Sequence, residues 1–219
     1  MPTDDQTHAG GRPGRRLDPT RDAAILRAAL EGLAELGYDR LTMDEIAARA
    51  RSGKGALYRR WPSKAALVVD AIVAWREQIA PIEAPDTGTL RGDIEAIVES
   101  APEFGERDRR MLAVISGLAT AVARDPELRA AFEDQILERP RRLLRQVLDQ
   151  AVERGEISAE RRLDLVPDIL IALNTLRILI GEVPDREFIR RVFDEIIYPL
   201  VTAPANRPDR RPRRRRGVN

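Results

Sequence analysis

Apolar positions recur with helical period along nearly the whole chain. Leu26, Ala29, Leu30, Leu33 and Leu36 form one stripe, with Asp18 placed to cap that helix, Pro19 in its first turn and Gly37 at its end. A shorter segment follows from Thr42 to Ala50, with Ile46, Ala47 and Ala50 on one face. Its start is marked: the Thr42 hydroxyl can accept from the Glu45 amide while the Glu45 carboxylate returns to the amide of Thr42, a capping box. Arg51-Ser52-Gly53 reads as a turn, Lys54 to Trp61 as a second short helix, and Pro62-Ser63 as its break. Ser63 is placed to cap a long helix from Lys64 to about Ala80, apolar at Leu67, Val68, Ala71, Ile72, Trp75 and Ile79.

Residues 81–88, with two prolines, read as a linker, and the rest again has helical period. The pattern predicts helices over about 89–104, over about 106–124 with Met111, Leu112, Ile115 and Leu118 on a face, and from Asp125-Pro126 to about Arg154, with Pro140 a kink or break. Ser158 is placed to start the next, which runs to Ile180 and stops at Gly181. Asp185 caps the last, to about Thr202, with Phe188, Val192, Ile196 and Leu200 in register. No stretch alternates with strand period and no internal repeat is visible. The expected fold is all-α with about nine helices: an N-terminal three-helix unit and a larger C-terminal helical bundle.

The segment from Leu163 to Ile180 is apolar nearly all round. Leu165, Ile169, Leu173, Leu176 and Ile180 form one stripe, and Leu170, Ile171, Ile178 and Leu179 lie off it. Such a helix needs cover on two sides. Its own domain supplies one side, and a second copy of the chain, with the last helix beside it, is the economical source of the other.

Charge sharpens this division. Residues 18–67 carry nine Lys/Arg against seven acids, whereas residues 68–202 carry 18 Arg against 26 acids. Residues 1–17 hold three Arg and two Asp, and residues 203–219 hold seven Arg and one Asp. The long middle is repelled by phosphate, while the first unit and both ends are drawn to it. The expected organisation is a disordered basic arm over 1–17, a DNA-binding unit over 18–67, a regulatory and dimerisation domain over 68–202, and an Arg-rich tail over 203–219. The arm, with Gly11 to Arg16, suits a minor groove or a solvated leader, and the tail adds non-specific DNA affinity or is merely solvated.

Two short helices joined by about three residues, with small Ala47 and Ala50 where they cross, make a helix-turn-helix pattern. Its second helix carries the chemistry: Lys54, Arg59, Arg60 and Lys64 without an acid, and the hydroxyl of Tyr58. Gly55 and Ala56 allow backbone close to a base pair. Tyr58 and Lys64 suit phosphates, and the side chains near the helix start suit base edges in a major groove. The DNA-contact set is Thr42, Arg51, Ser52, Gly53, Lys54, Gly55, Ala56, Tyr58, Arg59 and Lys64. Trp61 is assigned to the core with Met43, Ile46 and Leu57.

The residues Leu41 to Ala50 and Lys54 to Leu67, with the Leu57-Tyr58 pair, the Trp61-Pro62-Ser63-Lys64 turn and the Leu67 that follows, closely resemble the DNA-binding domain of the tetracycline-repressor (TetR) family. The resemblance is strong over about residues 20 to 70. It implies a homodimer joined by two helices from each subunit, a palindromic double-stranded DNA operator, and a small apolar or amphipathic effector between the helices of the second domain. A repressor is the leading reading. An activator, or a regulator controlled by a protein or by no ligand, are its rivals. The turn departs from the family, which has Gly-Val-Ser where this chain has Arg51-Ser52-Gly53. Either Arg51 bears a strain of about 1 kcal/mol or the turn is re-registered, and the cap of the second helix is Gly53 or Ser52.

No catalytic constellation is present. The chain has no Cys, and its one His, His8, lies in the leader, so neither a thiol nor a buried imidazole is available. No phosphate loop, dinucleotide fingerprint or metal site is visible, and no cofactor is expected. The leader lacks an apolar core and no run of about 18 apolar residues occurs, so neither secretion nor a membrane span is expected, and the chain is placed in the cytoplasm. Residues placed to face an effector are Trp75, Met111, Ile115, Phe132, Asn174 and Arg177. Asn174 and Arg177 stand out as polar groups in an apolar helix, where they pair across the dimer interface, close a local network, or meet a ligand.

Overall fold

The computed structural model describes residues 19–79, 83–161 and 163–203, and those residues form helices and connecting turns. The expectations for the arm over 1–17, the Asp18 cap and the tail from 204 onward lie outside them.

The chain's first helix, α1 (Pro19–Arg40), buries Ile25, Ala28, Ala29 and Leu33. Its backbone breaks at Gly37 (φ 73°, ψ 167°), where the sequence places the stop, and one further turn reaches Arg40. Helices α2 (Met43–Arg49), α3 (Lys54–Tyr58) and α4 (Lys64–Ile79) complete the N-terminal unit. Met43, Ile46, Leu57 and Trp61 are buried together against α1 and α4. Trp61 is core, as expected, and its indole Nε1 donates to Asp70 Oδ2 at 2.7 Å. The Ser63 hydroxyl accepts from the Ala66 amide at 3.1 Å and caps α4.

The same core continues past α4. Ala71 and Ile72 pack in one buried cluster with Leu118, Ala121, Leu128 and Ile136, which lie in α7 (Ala119–Arg124), α8 (Pro126–Phe132) and the turns flanking them, while Val114 and Ile115 of α6 (Glu106–Ser116) pack against it. A second core joins α5 (Leu90–Ser100) and α9 (Glu138–Glu153) to α10 (Val166–Leu179), α11 (Arg186–Val192) and α12 (Tyr198–Thr202), around Val98, Val147, Leu148 and Phe193. α4 thus carries the packing of the N-terminal unit into the bundle.

Several predicted bounds shift for local reasons. The helix expected over 89–104 ends at Ser100, because Pro102 follows and Ala101 is extended. The helix expected over 106–124 is interrupted at Gly117, between α6 and α7. No helix starts at Ser158. Residues 158–161 and 163–165 are not helical, and α10 begins at Val166, where Pro167 sits in the first turn. The disturbance expected at Pro140 is a π turn, Glu133–Leu137, just upstream of it, and a second, Phe193–Ile197, precedes Pro199.

Candidate nucleic-acid interface

The α2–α3 unit is assembled by short-range bonds. The Thr42 hydroxyl accepts from the Glu45 amide at 3.2 Å, the Thr42 half of the capping box. At the other end of α2, the Arg51 amide donates to Ala48 O at 3.1 Å and the Ser52 amide to Ala47 O at 2.9 Å. This pair of bonds closes the helix with the following residue in the left-handed region, and Arg51 takes φ 49°. The turn is therefore not re-registered. Gly53, extended at φ −73° and ψ 139°, is the N-cap of α3.

Most of the expected contact residues share this exposed surface. Thr42, Arg51, Gly53, Lys54, Gly55, Tyr58 and Arg59 are exposed, while Ser52 and Ala56 are half-buried. Tyr58 leaves 46% of its surface open although it neighbours the fully buried Leu57. A Cβ on Gly55 would lie 3.7 Å from Arg59 Nη1, an ordinary contact, so the Arg59 guanidinium lies over this part of α3 without requiring glycine there. Ser52 Oγ accepts from Arg21 Nε at 3.2 Å, which ties the turn to α1.

The cations of this unit differ in what they hold. Lys54 Nζ pairs with Asp44 at 2.7 Å, and that carboxylate raises the ammonium's pKa. Arg49 pairs with Glu35 at 2.7 Å and Arg60 with Asp22 at 2.6 Å. Lys64 is turned inward. Its Nζ donates to the carbonyl of Tyr38 at 2.7 Å and lies 4.0 Å from the Tyr38 ring centroid, and burial pushes its pKa down. Tyr38 in turn donates from its hydroxyl to Asp125 Oδ2 at 2.9 Å. Tyr38 thus holds Lys64 on one side and joins the N-terminal unit to the start of α8 on the other. Arg51 and Arg59 hold no partner among the described residues. Asp44 and Tyr38, which hold Lys54 and Lys64, and Asp125, which holds Tyr38, are partners that the sequence pattern does not reveal.

The residues expected to face an effector are dispersed. Trp75 is 9% exposed, Ile115 and Phe132 pack against the first core, and Met111 is half-exposed on α6. Asn174 and Arg177 lie three residues apart on α10. Of the six, Arg177 alone lines the surface cleft of about 520 Å³ bounded by Pro102, Phe104, Arg109, Glu182 and Arg186. Its guanidinium sits 4.3 Å from the Phe188 ring centroid and pairs with Glu182 at 3.0 Å, a local network. Arg177 Nε and Asn174 Oδ1 are nonetheless buried without a hydrogen-bond partner. An unpaired buried polar atom costs about 1–3 kcal/mol.

A further surface is apolar and open. On α10, Ala172, Thr175, Leu176 and Leu179 form one exposed stripe, continued by Ile180 and preceded by Leu165. Ile196, Pro199 and Leu200 make a matching face at the end of the chain's last helical segment. Leu165, Leu179 and Ile180 are 74%, 61% and 62% exposed. No helix among the described residues is long and apolar enough to cross a membrane.

Comparison with known proteins agrees with this architecture. Residues 25–71 match the family described as bacterial regulatory proteins, tetR family, and residues 84–196 match the tetracyclin repressor-like C-terminal domain. An uncharacterised helix-turn-helix transcriptional regulator of Mycobacterium tuberculosis is 36% identical over 194 residues, which is 86% of this chain and 93% of that protein. The DNA-binding transcriptional repressor TetR of Mycobacteroides abscessus is 33% identical over 186 residues, 83% of this chain and 94% of that one. A crystal structure of a TetR-family transcription regulator superposes with a TM-score of 0.59 at 25% identity, covering 85% of this chain and 99% of the other. A transcriptional regulator from Pseudomonas aeruginosa shares the fold, with a TM-score of 0.66 at 23% identity over 86% of this chain and 94% of its own. The chain belongs to the tetracycline-repressor family of helix-turn-helix transcriptional regulators, and is a DNA-binding regulator rather than an enzyme.

Proposed function

We propose that the protein is a homodimeric repressor that binds a palindromic operator through residues 42–64 and leaves it when a small amphipathic effector binds the bundle. The observation that carries the dimer is the open apolar surface of α10 and the last helical segment, where Leu176, Leu179, Ile180, Ile196 and Leu200 are each more than 40% exposed. A monomer would leave this surface in water, whereas a two-fold pairing buries it against itself. Two-fold symmetry then sets two copies of α3 about one DNA turn apart, roughly 34–36 Å, or a multiple of it. In each copy Thr42, Ser52, Gly53, Lys54, Gly55, Ala56, Tyr58 and Arg59 face the duplex, with Lys54 exchanging Asp44 for the DNA. Lys64 serves chiefly as a tether to Tyr38, with its remaining donors turned to phosphate.

An effector acts only through different affinities for two states. α4 is the element able to transmit the difference, since its residues belong to the core shared by α1 and α8. The packing of Ile115 and Phe132 against that core favours a second reading, control without a small ligand. Selection of fragments bound from the host genome, combined with solution mass, tests the proposal. Two subunits on a two-fold symmetric site support it, and a monomer that selects no duplex refutes it.

A further inference from the structure

We infer that Arg51 is held in a strained backbone conformation because its guanidinium contacts the operator, an inference that rests on the DNA-binding reading of the α2–α3 unit. The chain closes three helices with the same pair of hydrogen bonds. After α9, the Gly155 amide donates to Val152 O at 3.0 Å and the Glu156 amide to Ala151 O at 2.9 Å. After α10, the Gly181 amide donates to Ile178 O at 3.1 Å and the Glu182 amide to Arg177 O at 2.8 Å. After α2, the same two bonds run from Arg51 and Ser52. The motif demands positive φ at its pivot, and the three pivots take 77°, 84° and 49°. Glycine meets that demand without steric cost, and the chain uses it twice. At α2 it uses arginine, the one non-glycine residue with positive φ among the described residues.

Nothing in the described chain offsets the strain. Arg51 is exposed and, like Arg59, its guanidinium holds no hydrogen bond or ion pair among the described residues, whereas Arg49, Lys54, Arg60 and Lys64 are all engaged. Strained positions that structure alone does not require are characteristic of functional sites. Arg51 stands three residues before the first residue of α3, at the end of a recognition helix that enters the groove. A planar guanidinium with free donors fits a pair of acceptors on the duplex, either phosphate oxygens or the O6 and N7 edge of a guanine.

The test uses the full chain and a duplex that the wild-type protein selects from random-sequence DNA. Arg51→Gly relieves the backbone and removes the contact, so its Tm rises by about 2–4 °C while affinity for the duplex falls about tenfold. A phosphate contact lowers the salt slope by about 0.9 for each Arg51 engaged, whereas a guanine contact leaves the slope and confines the loss to one base pair in each half-site. Arg51→Lys keeps both the charge and the strained pivot, so its Tm stays at the wild-type value and its affinity lies between the two. Wild-type affinity, slope and base preference in Arg51→Gly overturn the inference, as does a fall in Tm on that substitution. A wild-type protein that selects no duplex overturns the DNA-binding reading beneath it, whatever the variants do.

Discussion

Arg76 Nη1 on α4 donates to the carbonyl of Ile136 at 3.0 Å, four residues before Pro140. In an unbroken helix the amide of residue 140 would meet that carbonyl, and proline has no amide hydrogen to give. The π turn Glu133–Leu137 and the Arg76 contact are two consequences of the same missing donor. Arg76 is half-buried, and desolvation, with the charge of Arg139, pushes its pKa down. Arg76→Ala is expected to destabilise the protein by about 2 kcal/mol, since it removes a charge-assisted bond from a buried acceptor. In a Pro140→Ala background the cost should fall by more than half, because a backbone donor is then available. A denaturant double-mutant cycle reads the coupling, and additive losses would refute this account.

The bond from Tyr38 to Asp125 joins the N-terminal unit to the bundle, and Asp125 also caps α8 by accepting from the Glu127 and Leu128 amides at 3.0 and 3.1 Å. The Leu128 amide first, then the Tyr38 hydroxyl, holds this carboxyl below its ordinary range against an opposing push from burial. Tyr38→Phe keeps the ring under Lys64 and deletes only the hydroxyl. The expected loss is about 1–2 kcal/mol. An unchanged Tm would show that this bond adds nothing to the joint between the two units.

Asp93 is fully buried and accepts from the Thr87 amide at 2.6 Å, the Thr87 hydroxyl at 2.8 Å and Arg154 Nη2 at 2.7 Å. Burial alone would raise its pKa, but the Thr87 bonds and the Arg154 guanidinium together lower it. A carboxyl depressed by folding contributes stability that is complete above its unfolded pKa and is lost as pH falls through its folded one. Stability should therefore drop below about pH 4, with Asp93 one of its causes. Asp93→Asn is expected to lose about 2 kcal/mol at neutral pH and to show a shallower acid limb. Urea unfolding at several pH values measures both, and an unaltered acid limb would contradict the assignment.

The dimer surface makes its own prediction. Leu179→Glu, alone or with Leu176→Glu, places carboxylates at the centre of the proposed two-fold seam. Dimer affinity should weaken about 100-fold or more. The helical signal should survive, since both side chains already lie in water within one subunit. Light scattering across a concentration series gives the mass, and an unshifted association would place the interface elsewhere.

What could be read in the sequence was mostly what is settled within a few residues. The Thr42, Ser63 and Asp185 caps, the Gly37 stop and the core position of Trp61 depend on neighbours three or four places away or on a strong apolar stripe. Arg51 was legible as a problem, because a non-glycine residue at a helix end must either strain or move the turn. The side-chain destinations were not legible. Lys64 looks like a phosphate ligand from its place in the motif, and its inward turn depends on a carbonyl 26 residues away. Ser158 has the right chemistry for a cap, but Pro167 sets the start of α10. Which side chains face a common cavity is not legible either, because whether faces from different helices converge depends on crossings that periodicity does not encode.

The most direct test of the central claim is the mass of the complex formed with a selected operator, measured together with the symmetry of that operator. Pairs of subunits are expected on a site whose half-sites repeat about 10 base pairs apart, or a multiple of that, with two-fold symmetry. A single subunit bound to an asymmetric site would contradict it.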